Sequence, residues 1–173
     1  QINNFKLVAE GVLQESAMLA LLSGGAYPSR NPSQNMADLR AQLAANEKGV
    51  QELTKMVAEF GLEVVQAYMG HVQDNAEESV RRVITRLRNG AFTLPLDNGA
   101  QIQVAVRVDA ENRSAEIDFT GTSPQQTNNF NAPTAVCMAA VLYVFRSLVN
   151  DDIPLNAGCL KPLNVIIPAG CML

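Results

Sequence analysis

The apolar residues of this chain change their period once, near Asn89-Gly90, and that change decides the fold class. Before it, Met36, Leu43, Val50 and Val57 recur every seven residues while Leu39, Leu53 and Phe60 keep the companion register, a coiled-coil-like seam along one long helix. After it, Ile102, Val104, Val106 and Val108 alternate with Gln101, Gln103, Ala105 and Arg107, the period of a half-buried strand. The expected class is therefore α+β: a long antiparallel helix pair followed by a small β-sheet with a packed helix. Residues 1–90 are expected to form a mainly helical part and residues 91–173 a mixed part.

Within this frame, Phe5 to Val12 reads as a short strand and Gln14 to Leu22 as a short helix ended by Gly24 and Gly25. Asn35 with Asp38 three residues on resembles a capping pair for the long helix. Asn46 interrupts the second register of the seam, and two roles stay open for it: fixing the register, or meeting a polar group from elsewhere. Gly61 closes that helix, and Leu62 to Leu87 follows with a stripe of Val65, Tyr68, Val72, Ala76, Val83 and Leu87. Tyr68, His71, Asn75 and Glu78 run along its edge, where a lone histidine is more often a structural residue than a ligand or base.

Phe92 to Leu96 and Gln101 to Val108 flank Asn98-Gly99, a hairpin signal. Ala115, Ile117 and Phe119 continue the alternation, which puts Glu116 and Asp118 on the opposite face. Pro133 suits the first turn of a helix to about Val149, with Val136, Ala140, Tyr143 and Phe145 expected inside. Between strand and helix lies DFTGTSPQQTNNFNAP, Asp118 to Pro133, a run of amides, hydroxyls and one glycine. Such a run either satisfies its own backbone through local turns or lines a pocket for a polar ligand.

Composition narrows the function classes. A hydrophobic content of 47% supports a real core. The net charge of −4 and the scatter of 13 basic residues argue against a nucleic-acid surface, and the local cluster Arg81, Arg82, Arg86 and Arg88 suits a helix C-terminus. No run of about twenty apolar residues marks a membrane span. Cys137, Cys159 and Cys171 are widely spaced and odd in number, which fits a reducing cytoplasm better than a disulfide framework. No phosphate loop, dinucleotide fingerprint, nucleophile elbow or paired-histidine motif occurs, and a single histidine excludes a histidine cluster within the chain, so no metal ligands are assigned. The chain begins at Gln1 without Met and stops at IPAGCML directly after the strand-like run Leu163 to Ile167; it is expected to be a piece of a larger protein.

The blocks SRNPSQNMADLRAQLAANEKG, YMGHVQDNAEESVRR, DFTGTSPQQTNNFNAP, VLYVFRSLV and DIPLNAGCLKPLNVIIPAG, in that order, resemble the hydantoinase B/5-oxoprolinase family over nearly the whole chain. LRAQLAANEKG and VVQAYMGHVQ are most similar to the ATP-dependent 5-oxoprolinases. The resemblance implies a role in ATP-dependent opening of a cyclic amide, 5-oxo-L-proline to L-glutamate, and so in glutathione metabolism. A hydantoinase B or acetone carboxylase-type subunit is the alternative, and a non-catalytic helical assembly module a third. It implies ATP and a divalent cation for the full-length enzyme, with neither expected to be bound by this fragment, which by itself is expected to be inactive. It also implies a hydantoinase A-type ATP-binding region or subunit as partner, a small cyclic amide as ligand, a homo-oligomer, and no nucleic acid or membrane. On the matching loop, Asp118 is the catalytic candidate and Thr120, Thr122, Gln125, Asn129 and Asn131 the substrate-binding candidates. In the other polar block, Arg30 is the candidate for an anionic group, while Asp38 and Arg40 suit pairing or capping.

Overall fold

A computed structural model describes residue 2 and residues 4–173. The class is α+β, with four α-helices and two small sheets among the described residues. Two compact units divide at 65/66, inside a helix, which is earlier than the change of period at residue 90. The reason is that the second half of that helix belongs to the core of the sheet.

In the first unit, the run expected to be one strand is instead a miniature hairpin, β1 (Val8–Ala9) and β2 (Val12–Leu13). Glu10 and Gly11 both adopt positive φ there, the backbone of a tight two-residue turn. Helix α1 (Glu15–Ser23) follows and packs on α2 (Pro32–Phe60). Met18 from α1 and Met36 from α2 are buried. The cap of α2 is Asn31, not Asn35: the Asn31 side chain accepts from the Gln34 backbone N–H at 3.2 Å, and Pro32 occupies the first turn. Asn35 receives the Ser29 hydroxyl instead, and Asp38 receives the Gln34 amide at 2.9 Å. Gly61 ends α2 with φ 83° and donates its N–H to the Val57 carbonyl. Along the seam Met36 is buried and Leu39, Leu43 and Val57 half-buried, whereas Asn46, Val50, Leu53 and Phe60 are exposed.

Helix α3 (Leu62–Ile84) leads into the second unit. Its buried stripe there is Ala76, Val80 and Ile84, one helical step apart each time, while Tyr68 and Val72 stand exposed. The four-stranded sheet has the order β3 (Gly90–Pro95), β4 (Gln101–Asp109), β5 (Ser114–Asp118) and β6 (Leu163–Ile166). The first two pairs are antiparallel, and β3 joins β4 around Asn98-Gly99, where Gly99 supplies φ 82° and the Asn98 side chain accepts from Ala100 N. The last pair, β5 with β6, is parallel. A parallel neighbour cannot be reached by a tight turn, so the chain crosses over through α4 (Thr134–Leu148) and a short 3-10 helix, Ala157–Leu160.

Helix α4 is nearly all apolar, so its sequence alone does not say which face is inside. The buried stripe is Cys137, Val141 and Phe145, while Val136, Ala140 and Tyr143, expected inside, are exposed. Phe145 lies inside as expected. Val141 and Phe145 close one core with Ala76, Val80, Ile84, Ala115, Ile117, Val149, Ile153 and Cys159. Side chains the size of Val80, Ile84 and Phe145 each contribute about 1.5–3 kcal/mol when buried.

The 3-10 helix lies against α3 so closely that Gly158 has no room for a side chain. A Cβ there would stand 2.1 Å from the Gln73 carbonyl oxygen and 2.8 Å from Asn156 Oδ1, which already accepts the Gly158 N–H. Gly158→Ala is expected to destabilise the protein by roughly 1–3 kcal/mol through backbone displacement. A thermal unfolding curve unchanged by the substitution would contradict this packing.

Candidate functional site

Asp118 is the last residue of β5, and the polar loop leaves from it at the carboxyl end of the parallel pair. Because Ala115 and Ile117 are buried, Glu116 and Asp118 lie on the other face, as the alternation predicts. There a charged ladder crosses three strands. Arg107 on β4, opposite Glu116 in register, bonds Glu116 at 2.5 Å and reaches diagonally to Asp118 at 3.1 Å. Asn164 on β6 donates to the second oxygen of Glu116 at 3.2 Å.

Both oxygens of Asp118 are engaged: Oδ1 accepts from the Thr120 backbone N–H at 2.9 Å and Oδ2 from Arg107. Its side chain is only 14% exposed. Hydrogen bonds from the Thr120 side chain and backbone, followed by that of Arg107, hold its carboxyl below the usual carboxylate range. The group is therefore a fixed anion near neutral pH, suited to accepting hydrogen bonds and unsuited to donating a proton.

The loop then continues the sheet by other means. Beyond Ala105, β4 no longer faces β5, and hydroxyl side chains take the place of a strand. Thr122 Oγ1 accepts from Gln103 N at 3.0 Å and donates to Gln103 O at 3.1 Å. Ser123 exchanges a matching pair with Gln101, its hydroxyl accepting from Gln101 N and its N–H donating to Gln101 O, both at 2.9 Å. Gly121, with φ 97°, allows this approach, since a Cβ there would meet Gln103 Oε1 at 2.2 Å. Further on, the loop pairs with the chain after β6: Gln125 N donates to Gly170 O, Met172 N to Ser123 O and Ala132 N to Met172 O. Asn131 closes the distal turn, accepting from Gln126 N and donating to the carbonyls of Gln126 and Asn128.

The candidate residues thus separate. Thr122 and Asn131 spend their side chains on backbone groups, and Asp118 spends its own on Arg107 and Thr120. Thr120, Gln125 and Asn129 are exposed on the same loop. Arg30 is exposed in the segment between α1 and α2, in the first unit. The sequence places Glu116 on the face of Asp118 but gives no site role to it, to Arg107 or to Asn164. The signal for Arg107 was present, because alternation puts it on the face of Asp118; Asn164 joins only through a pairing 48 residues apart in sequence. Among the described residues no group of three or more His, Cys, Asp or Glu side chains is placed to hold a metal ion.

Comparisons with known proteins agree on one relationship. The family model for hydantoinase B/oxoprolinase matches residues 1–173. 5-Oxoprolinase 1 of Arabidopsis thaliana is 40% identical over 99% of this chain, and the 5-oxoprolinase of Saccharomyces cerevisiae 40% identical over 96%. This chain spans only 16% and 14% of those two proteins. A protein of a Pseudomonas strain named as the B-type component of a D-/L-hydantoinase is 28% identical over 83% of this chain, which spans 27% of it. In fold, the crystal structure of the ATP-dependent caprolactamase from Pseudomonas jessenii superposes with a TM-score of 0.70 over 99% of this chain and 30% of its own, at 21% identity. The chain belongs to the hydantoinase B/oxoprolinase family.

Proposed function

We propose that this chain is part of an ATP-dependent cyclic-amide hydrolase that opens 5-oxo-L-proline to L-glutamate. The observation that carries the reading is the identity of about two residues in five with proteins named 5-oxoprolinase along almost the whole chain. The fold likeness to a protein titled ATP-dependent caprolactamase supports the same class, since caprolactam is also a cyclic amide. An unstrained lactam resists attack by water, and ATP supplies the driving force by activating its carbonyl. The sequence holds no phosphate-loop motif and the described residues no metal cluster; in this reading ATP belongs to a hydantoinase A-type region or subunit, and the divalent cation to residues outside this chain. The complete protein is read as a cytoplasmic homo-oligomer of glutathione metabolism. Among the described residues no helix is long and apolar enough to cross a membrane.

This chain's own contribution is the loop at the carboxyl end of β5. In open sheets with parallel strands, ligands gather outside the carboxyl ends of the strands, and the loop's position follows that rule by analogy. Its exposed amides, Gln125 and Asn129, suit a ligand carrying a lactam and a carboxylate, and exposed Thr120, whose hydroxyl also bonds Asp118, stands beside them. Asp118 fixes the loop's entry as an anion, and Thr122, Ser123 and Asn131 keep its backbone in place. Arg30 is retained as the candidate for an anionic group in the first unit.

The complete protein is expected to hydrolyse ATP in proportion to 5-oxoproline opened. ATP turnover driven by a hydantoin and unaffected by 5-oxoproline would transfer the reading to the hydantoinase branch. A pair of substitutions in the same protein tests the loop. Asn129→Ala should leave the melting temperature unchanged and weaken turnover or raise KM for 5-oxoproline by about tenfold, the scale of one lost hydrogen bond to a charged or strongly polar group. Asp118→Asn should lower the melting temperature while reducing turnover by less than that. A loss of about 10²-fold or more with an unchanged melting temperature would instead give Asp118 a direct part in proton transfer. The lowered pKa of Asp118 makes stability depend on pH: its stabilisation is present above the unfolded carboxyl's range and lost as pH falls through the lower folded value, a dependence that Asp118→Asn should remove.

A further inference from the structure

Away from the loop, the second unit carries a cleft of about 390 Å³ where the end of α3 and the segment beyond it face the end of α4. That volume lies in the range of small-ligand sites. Its inner wall is apolar, with half-buried Val83 and Leu87. Opposite charges stand around it without closing on one another. Arg82 and Arg86 line one side and Asp151 the other, yet no pair of them comes within the 4.0 Å of an ion pair. Arg82 keeps a single 3.3 Å contact with Glu78, and Arg86 has no ion-pair partner among the described residues. Ser79, the one buried polar residue among those described, also lines the cleft at 5% exposure, and its hydroxyl is not sealed into the core as an unpartnered group. The cleft lies at the C-terminal end of α4, where a helix's partial charge is negative and an ammonium group is favoured.

A serine hydroxyl at the edge of an apolar wall offers a hydrogen bond to whatever enters, and charges of both signs left apart around that wall are complementary to a zwitterion. We propose that this cleft binds a small aliphatic α-amino acid, its carboxylate set against Arg82, Arg86 and the Ser79 hydroxyl, its ammonium against Asp151 and its side chain against Val83 and Leu87. The inference rests on the cleft alone and is independent of the reaction assigned above. Such a site lies apart from the polar loop, so occupancy does not require lactam opening.

Equilibrium dialysis of the complete protein with radiolabelled L-leucine reads the proposal directly. Saturable binding is expected, weakened roughly tenfold or more by Arg86→Gln and by Asp151→Asn, and unaffected by Arg88→Gln, which does not line the cleft. Isovalerate, which lacks the ammonium, and isopentylamine, which lacks the carboxylate, should compete at least about tenfold less well than L-leucine. Circular dichroism of each variant separates lost binding from lost fold. Absence of saturable binding, binding that survives both substitutions in folded protein, or equal competition by the two single-charge analogues would overturn it. Failure here leaves lactam-dependent ATP turnover untouched, and failure of that turnover leaves this binding untouched.

Discussion

The parallel pairing of β5 with β6 governs the second unit. Two strands in that arrangement require a connection that leaves one end of the sheet and re-enters at the other, and here it occupies residues 119–162. Everything at the candidate site follows from that crossover. The loop must begin at the carboxyl end of β5, α4 must cover the apolar face, and the chain after β6 must emerge beside the loop, where Gly170 and Met172 pair with it. The core of Val80, Ile84, Ile117, Val141 and Phe145 holds the crossover in place, because α3 and α4 meet the same face of the sheet.

The loop shows how a polar segment is kept in one conformation without a core of its own. Thr122 and Ser123 replace a strand's backbone with hydroxyls, each meeting both groups of a β4 residue or sharing that task with its own N–H. Asn131 does the same for the distal turn. Groups committed in this way satisfy buried or half-buried backbone at little cost and leave neighbouring side chains free to face a ligand. Under the proposed function, the division between Thr122 and Asn131 on one side and Gln125 and Asn129 on the other is one between scaffold and contact surface.

Local patterns were legible in the sequence and distant ones were not. The β3–β4 hairpin could be read from Ile102, Val104, Val106 and Val108 with Asn98-Gly99, since strand period and turn chemistry act over a few residues. The inner face of α4 could not, because a helix with apolar residues on every side offers several equivalent stripes; the core shared with Ala76 and Ile117 selected Val141 and Phe145. The cap of α2 was misplaced by four residues, as Asn31 and Asn35 have the same chemistry and only Pro32 marks the true first turn. The polar loop was visible by composition, but the bonds that separate Thr122 from Asn129 depend on β4, which lies far back in the chain. The seam of α2 carries a helical period through Phe60, although its members Val50, Leu53 and Phe60 stand exposed.

The central claim is that the loop between Asp118 and Pro133 meets the cyclic amide in the complete protein. Hydrogen–deuterium exchange of that protein, with and without 5-oxo-L-proline, measures this at the backbone. The account predicts slowed exchange in peptides spanning residues 124–131 when the lactam is present, and unchanged exchange in peptides from residues 43–60 of α2. Unchanged exchange across the loop, in protein that turns over 5-oxoproline under the same conditions, would contradict it.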